Sequence, residues 1–141
     1  MSFNLSKYHF KSDKIFNGVS SKIAVDLNKI KTESKFSKGD ILYEEGSKPK
    51  AVYYLKKGKV KIEQLNQHGK IRLFYVYADG EYFGFRPLLS NEANPVSASF
   101  LEDSEIEMYE GVHFKEIVMK SGVLSFNLIE ILSYEFNVWI R

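Results

Sequence analysis

The chain has 141 residues and no Cys, with 44% hydrophobic, 15% aromatic and 27% charged side chains. That length suits one domain, and the composition excludes a disordered polar chain, a collagen-like repeat and a disulfide scaffold. Without Cys there is no thiolate for iron–sulfur, Cys-type zinc or nucleophilic chemistry, and a formal net charge of +2 is too small to imply nucleic-acid binding by bulk charge.

Met1 to Phe10 mixes Lys7 and His9 with polar residues and has no apolar run of signal-peptide length. No stretch approaches the ~20 apolar residues of a membrane helix. The expectation is a soluble, cytoplasmic protein with no membrane partner. Three zones follow within a single domain spanning residues 1–141. In residues 1–38, Phe16, Val19, Ile23, Leu27 and Ile30 are spaced by three and four and predict a helical segment, with lysines such as Lys14, Lys22 and Lys29 on its solvated side.

Residues 39–110 predict strands. Runs rich in Tyr, Val, Ile and Phe are broken by turns at Lys38-Gly39-Asp40, Glu45-Gly46-Ser47, Lys57-Gly58-Lys59, His68-Gly69-Lys70 and Asp79-Gly80-Glu81. Val60, Ile62 and Gln64 alternate with Lys59, Lys61 and Glu63, a strand with one wet face. Around Ile71 to Tyr77 both faces read as covered. Short strands at this spacing predict a mainly β domain with flanking helices, most naturally a jelly roll. In residues 112–141, Phe114, Ile117 and Val118 predict a short helix ending near Ser121-Gly122. A longer helix then carries Leu124, Leu128, Ile131, Leu132, Glu135 and Trp139 on one side, and Phe126, Ile129, Phe136, Val138 and Ile140 on much of the rest. So wide an apolar surface predicts a partner. The pattern runs to Arg141 without a Gly or Pro stop, as if cut mid-helix.

No catalytic or metal motif emerges. His9, His68 and His113 lie in three different zones without a His-x-His pair. Carboxylate pairs such as Glu44-Glu45 sit at turns. The expectation is therefore no enzyme, no metal and no cofactor. The segment Gly80-Glu81-Tyr82-Phe83-Gly84-Phe85-Arg86-Pro87-Leu88-Leu89 stands out, because such a turn can aim successive N–H groups at an anion while Glu81 accepts from a sugar hydroxyl. The alternative is a plain hairpin turn with Phe83 and the leucines in the core.

The order of motifs resembles the cyclic-nucleotide-binding domain of Crp/Fnr transcription regulators. Phe36-x-Lys38-Gly39-Asp40-Ile41-Leu42 with Glu45-Gly46, then Val52-Tyr53-Tyr54-Leu55 with Gly58-Lys59-Val60-Lys61-Ile62, look like its opening strands. Gly80-Glu81-x-Phe83-Gly84 falls where its phosphate-binding cassette begins, and Ser97 to Ile106 on the strand pair that follows. The resemblance covers about residues 15–141. It implies a double-stranded β-helix (jelly roll) followed by a long C-terminal dimerisation helix. It also implies a ligand pocket at Gly80, Glu81, Phe83, Gly84, Phe85, Arg86, Asn94 and Ser97, and a homodimer seam at Leu124, Leu128, Leu132, Phe136 and Trp139.

Two departures from that family's pattern matter. Phe85 stands in place of the second Glu of Gly-Glu-x-x-Gly-Glu, and the phosphate-binding Arg position falls on Asn94, since the only arginines are Arg72, Arg86 and Arg141. Neither Asn nor a shifted-register Val96 supplies the charge-assisted fork of a guanidinium. The ligand is therefore left unknown, with none at all as an alternative. Arg86 is a candidate for a different anion, or for pairing with Glu81 or Glu92. DNA contact would need a C-terminal module that these residues do not contain. A stand-alone cyclic-nucleotide-binding module of another signalling protein remains the alternative.

Overall fold

Five glycine turns punctuate the strands, and Gly39, Gly46, Gly58, Gly69 and Gly80 all take positive φ. A computed structural model describes residues 11–140, so Lys7, His9 and Arg141 lie outside the described residues. Eight antiparallel strands form two four-stranded sheets. The first sheet has the order β1 (Lys31–Phe36), β8 (Ser104–Glu110), β3 (Ala51–Lys57), β6 (Tyr82–Phe83). The second has the order β2 (Ile41–Tyr43), β7 (Ser97–Phe100), β4 (Val60–Leu65), β5 (Ile71–Tyr77). This is the expected β-roll. At Gly58, φ is +125° and a Cβ would come within 2.0 Å of Ser104 Oγ, so only glycine lets the β3–β4 turn lie against β8.

Among the described residues four α-helices flank the roll: α1 (Ser21–Lys29), α2 (Phe85–Ser90), α3 (Gly111–Lys120) and α4 (Gly122–Trp139). The N-terminal expectation needs correction. Of the described residues 11–38, Ser21–Lys29 alone is α-helical, and Lys31–Phe36 is strand β1, paired antiparallel with β8 from Lys31↔Tyr109 to Phe36↔Ser104. The strand reads KTESKF, an edge strand with mostly exposed polar residues, so it lacks the apolar alternation that marks a strand. The β5 expectation also changes. Its first half projects into solvent, with Ile71 66% and Leu73 51% exposed, and only Tyr75 and Tyr77 are buried.

The core has two parts. Inside the roll, Leu55, Val60, Tyr77, Phe83, Ala98, Phe100 and Ile106 pack together. On the outer face of the first sheet, Val52 and Tyr109 meet Ile15, Leu27, Phe85, Phe114, Leu124 and Leu128 from the helices and the N-terminal turn.

Helix ends follow local chemistry. Ser20 Oγ accepts from Ile23 N at the start of α1, and Ser121 Oγ accepts from Leu124 N at the start of α4. Ser121 alone separates α3 from α4, which turn by 105°; no single described helix is long and apolar enough to cross a membrane. At the start of α3 the Glu110 carboxylate accepts from the N–H groups of Val112 and His113. The N–H of His113, then that of Val112, hold the Glu110 carboxyl below the usual carboxylate range. Its pKa is thus lower folded than unfolded, so the cap contributes fully above the unfolded value and fades as pH falls through the folded one. Glu110→Ala is expected to cost about 1 kcal/mol at neutral pH. In urea melts the gap from the parent should close as pH falls below the usual carboxylate range.

Candidate functional site

The chain from β6 into α2 sends consecutive side chains to opposite parts of the core. Phe83 stacks inside the roll between Tyr77 and Tyr53, with ring centroids 4.5 and 5.3 Å away. Gly84, at φ +86°, turns the backbone; a Cβ there would lie 2.8 Å from Tyr53 Cδ2, so a larger residue is excluded. Phe85 then points into the helical cluster, fully buried. Arg86 follows, its guanidinium 4.6 Å from the Phe85 ring centre.

The acid that grips Arg86 comes from the C-terminal helix. It is Glu135 on α4, 49 residues away: Arg86 Nε donates to Oε2 at 2.8 Å and Nη2 donates to Oε1. The fork is bidentate, and the Glu135 side chain is only 7% exposed. A buried carboxylate on an apolar helix face costs stability unless a partner satisfies it, and Arg86 meets that need with two charge-assisted bonds.

Beside the fork lies a cavity of about 530 Å³. Its floor is the second sheet, through Tyr43, Ile62, Phe74 and Tyr77. Gly84, Arg86 and Pro87 of the α2 region form one wall, and Leu132, Glu135, Phe136 and Trp139 of α4 the other. Two amides at the rim each spend a donor within the protein. Gln64 Nε2 donates to Pro95 O at 3.0 Å, and Asn94 Nδ2 donates to Ser47 Oγ at 3.1 Å. Burial raises the Tyr77 phenol to about 12, against an opposing pull from Arg86, and burial likewise raises the Tyr43 phenol. Both are neutral hydrogen-bond donors at physiological pH.

Of the eight residues expected to form a pocket, Gly84, Arg86 and Asn94 line this cavity. The other five have different work. Gly80 and Glu81 clamp the β5–β6 turn: Gly80 N donates to Leu55 O, and the Glu81 carboxylate accepts from Tyr75 Oη at 2.6 Å and Ala78 N at 2.7 Å. Phe83 and Phe85 are core, and Ser97 Oγ accepts from Glu45 N at 2.8 Å. The expected dimer seam is also corrected. Leu124 and Leu128 are buried in the chain's own core, in one cluster with residues of α1, α3 and the first sheet, while Leu132, Phe136 and Trp139 face the cavity.

Sequence reading missed the β-sheet floor and the role of Glu135. A lone acid on an otherwise apolar helix face was the available signal for Glu135. Arg86→Met should cost about 3 kcal/mol in urea unfolding by stranding a buried carboxylate, and adding Glu135→Leu should recover most of it. Additive single-variant costs would mean that the two side chains do not hold each other.

Residues 33–121 match the family described as Cyclic nucleotide-binding domain. An uncharacterized protein of Haemophilus influenzae is 38% identical over 91 residues, 62% of this chain and 70% of that one. The fold is similar to the catabolite activator protein of Thermus thermophilus, with a TM-score of 0.77 and 20% identity over 87% of this chain and 58% of that one. It is similar also to the sensor domain of the transcriptional regulator DNR from Pseudomonas aeruginosa, with a TM-score of 0.79 and 20% identity over 89% of this chain and 85% of that one. This chain thus spans little more than half of the Thermus protein, and at 20% identity these likenesses show a shared fold. With two four-stranded sheets closed into a roll, a helix after Gly84 and a long helix behind it, the chain belongs to the cyclic nucleotide-binding domain family, in the fold of Crp/Fnr-type regulators.

Proposed function

We propose that this chain is the ligand-sensing and dimerisation domain of a Crp/Fnr-like transcription regulator, non-enzymatic and cytoplasmic, reading a small molecule other than a cyclic nucleotide held in the usual way. The observation that carries the reading is the cavity shared by the roll and α4, with Arg86 and Glu135 joined across it. A ligand there touches the sensing roll and the signalling helix at once. It can bias α4 by as much as its affinity differs between two arrangements. Contact with DNA belongs, in this reading, to a separate module.

Asn94, at the position of the phosphate-binding Arg, is 4% exposed, and its N–H donates to Ser47 O while its carbonyl accepts from Gly46 N. It is a structural clip between two loops and carries no charge to offer a phosphate. Titration calorimetry with cyclic AMP and cyclic GMP should therefore give no saturable binding at micromolar protein. Tight binding of either would favour the alternative, a stand-alone cyclic-nucleotide-binding module of another signalling protein.

The dimer is carried by the outer face of α4. Phe126, Ile129 and Ile140 are 60%, 57% and 62% exposed, and Phe136, where this face borders the cavity, is 65% exposed. With Ser133 they fall at alternating steps of three and four, the spacing of a coiled-coil seam between two copies. Phe126→Asp with Ile129→Asp is expected to convert a dimer to a monomer in sedimentation equilibrium, because charge cannot be buried unpaired in such a seam. A parent chain already monomeric at high concentration would refute the seam.

A further inference from the structure

Among the described residues the lining of the α4 cavity has two charged side chains, and they hold each other: the Arg86 guanidinium and the Glu135 carboxylate. We infer that this cavity takes a ring-bearing hydrophobic monoanion with no other polar groups, whose acid group takes the place of Glu135 on Arg86, and that this exchange is what frees the end of α4. The inference rests on the ligand-sensing reading above and names the ligand class and the trigger.

Size and lining favour such a ligand. About 530 Å³ lies within the range of small-molecule sites. Phe74, Tyr77, Phe136 and Trp139 offer flat apolar faces, while the amides of Gln64 and Asn94 are engaged by Pro95 and Ser47. A nucleotide base and ribose would bring several polar atoms into a lining that is mostly apolar, at the usual cost of burying unsatisfied groups. An aromatic acid brings one polar end.

Charge balance decides the sign. A cation entering beside Glu135 would leave Arg86 uncompensated, whereas an anion exchanges one acid for another on the same guanidinium. The Tyr43 hydroxyl, held neutral by burial and close enough to Arg86 to feel its charge, is a further donor for an oxyanion.

Anchoring decides which partner moves. Arg86 sits on α2, whose Phe85 and Leu88 are buried in the helical cluster and whose Gly84 abuts Tyr53. Glu135 sits where α4 runs out: beyond it Phe136, Asn137, Trp139 and Ile140 are exposed, and Val138 is the last buried residue. Losing the fork would therefore loosen the last turn of α4 and leave α2 in place.

Two dyes that differ by the acid group test this with the full chain. 8-Anilinonaphthalene-1-sulfonate carries the anion, and N-phenyl-1-naphthylamine is the same ring system without it. Energy transfer from Trp139, the single tryptophan, locates the dye in the cavity. The anionic dye is expected to bind one per chain and more tightly than the neutral one. Glu135→Gln, which removes the competing acid, should tighten the anionic dye at least about tenfold and leave the neutral dye unchanged. Arg86→Met should abolish the preference. Each variant is first shown to melt cooperatively, since loosely packed states bind such dyes unspecifically. Glu135→Asp, which keeps the charge but slackens the fork, is the milder variant and should tighten the anionic dye by a smaller factor. Equal affinity for the two dyes, or a ratio unmoved by both Glu135 variants, overturns the exchange alone. Failure of the intact chain to bind either dye overturns the exchange and the ligand-sensing reading together.

Discussion

One guanidinium–carboxylate fork governs how the β-roll and the C-terminal helix meet. Glu135 is 5% exposed on a helix face otherwise made of Leu124, Leu128, Ile131 and Val138. A charge in that setting is tolerable only with a partner in bidentate geometry, and Arg86 is placed to be that partner by the short helix α2. The register of α4 against the roll is therefore fixed by an interaction that is costly to break and indifferent to small slides of apolar surface. Apolar packing alone tolerates several nearby arrangements; a fork selects one.

The four residues from Phe83 to Arg86 show how the arrangement is held from the roll side. They deliver one aromatic ring to the interior of the roll, a backbone turn only glycine permits, a second ring to the helical layer, and then the cation. Phe85 is where the resemblance led to an expected ligand-binding Glu, and its burial explains the change: a side chain at that position packs against Ile15, Leu88 and Phe114 and stabilises the helical layer. The same ring supports the guanidinium. A position associated with ligand contact has become part of the scaffold that aims Arg86.

Much of the fold was legible because turn chemistry and periodicity are local. The five glycine turns, the alternation along β4 and the break at Ser121-Gly122 all stand as expected. β1 was not legible, because a polar edge strand is stabilised by pairing with β8 and has no pattern of its own. The site was legible only in part. Gly84, Arg86 and Asn94 are close in sequence and were read together, whereas Tyr43, Ile62, Phe74 and Tyr77 reach the same cavity from three strands that only sheet pairing brings side by side. The α4 seam was misassigned for a related reason. Both faces of that helix are apolar, and sequence alone does not say which one the chain keeps for itself.

The charged strand β1 has a consequence for how copies of this protein behave when crowded. Lys31 and Lys35 form ion pairs with Glu107 and Glu105 on β8, and Glu33 reaches Lys56, so the free margin of the first sheet is fringed with ions. A neighbouring strand that tried to add itself there would have to dehydrate them, which discourages runaway fibre-like stacking. The sheet margin is thus closed to strand addition even where copies crowd together.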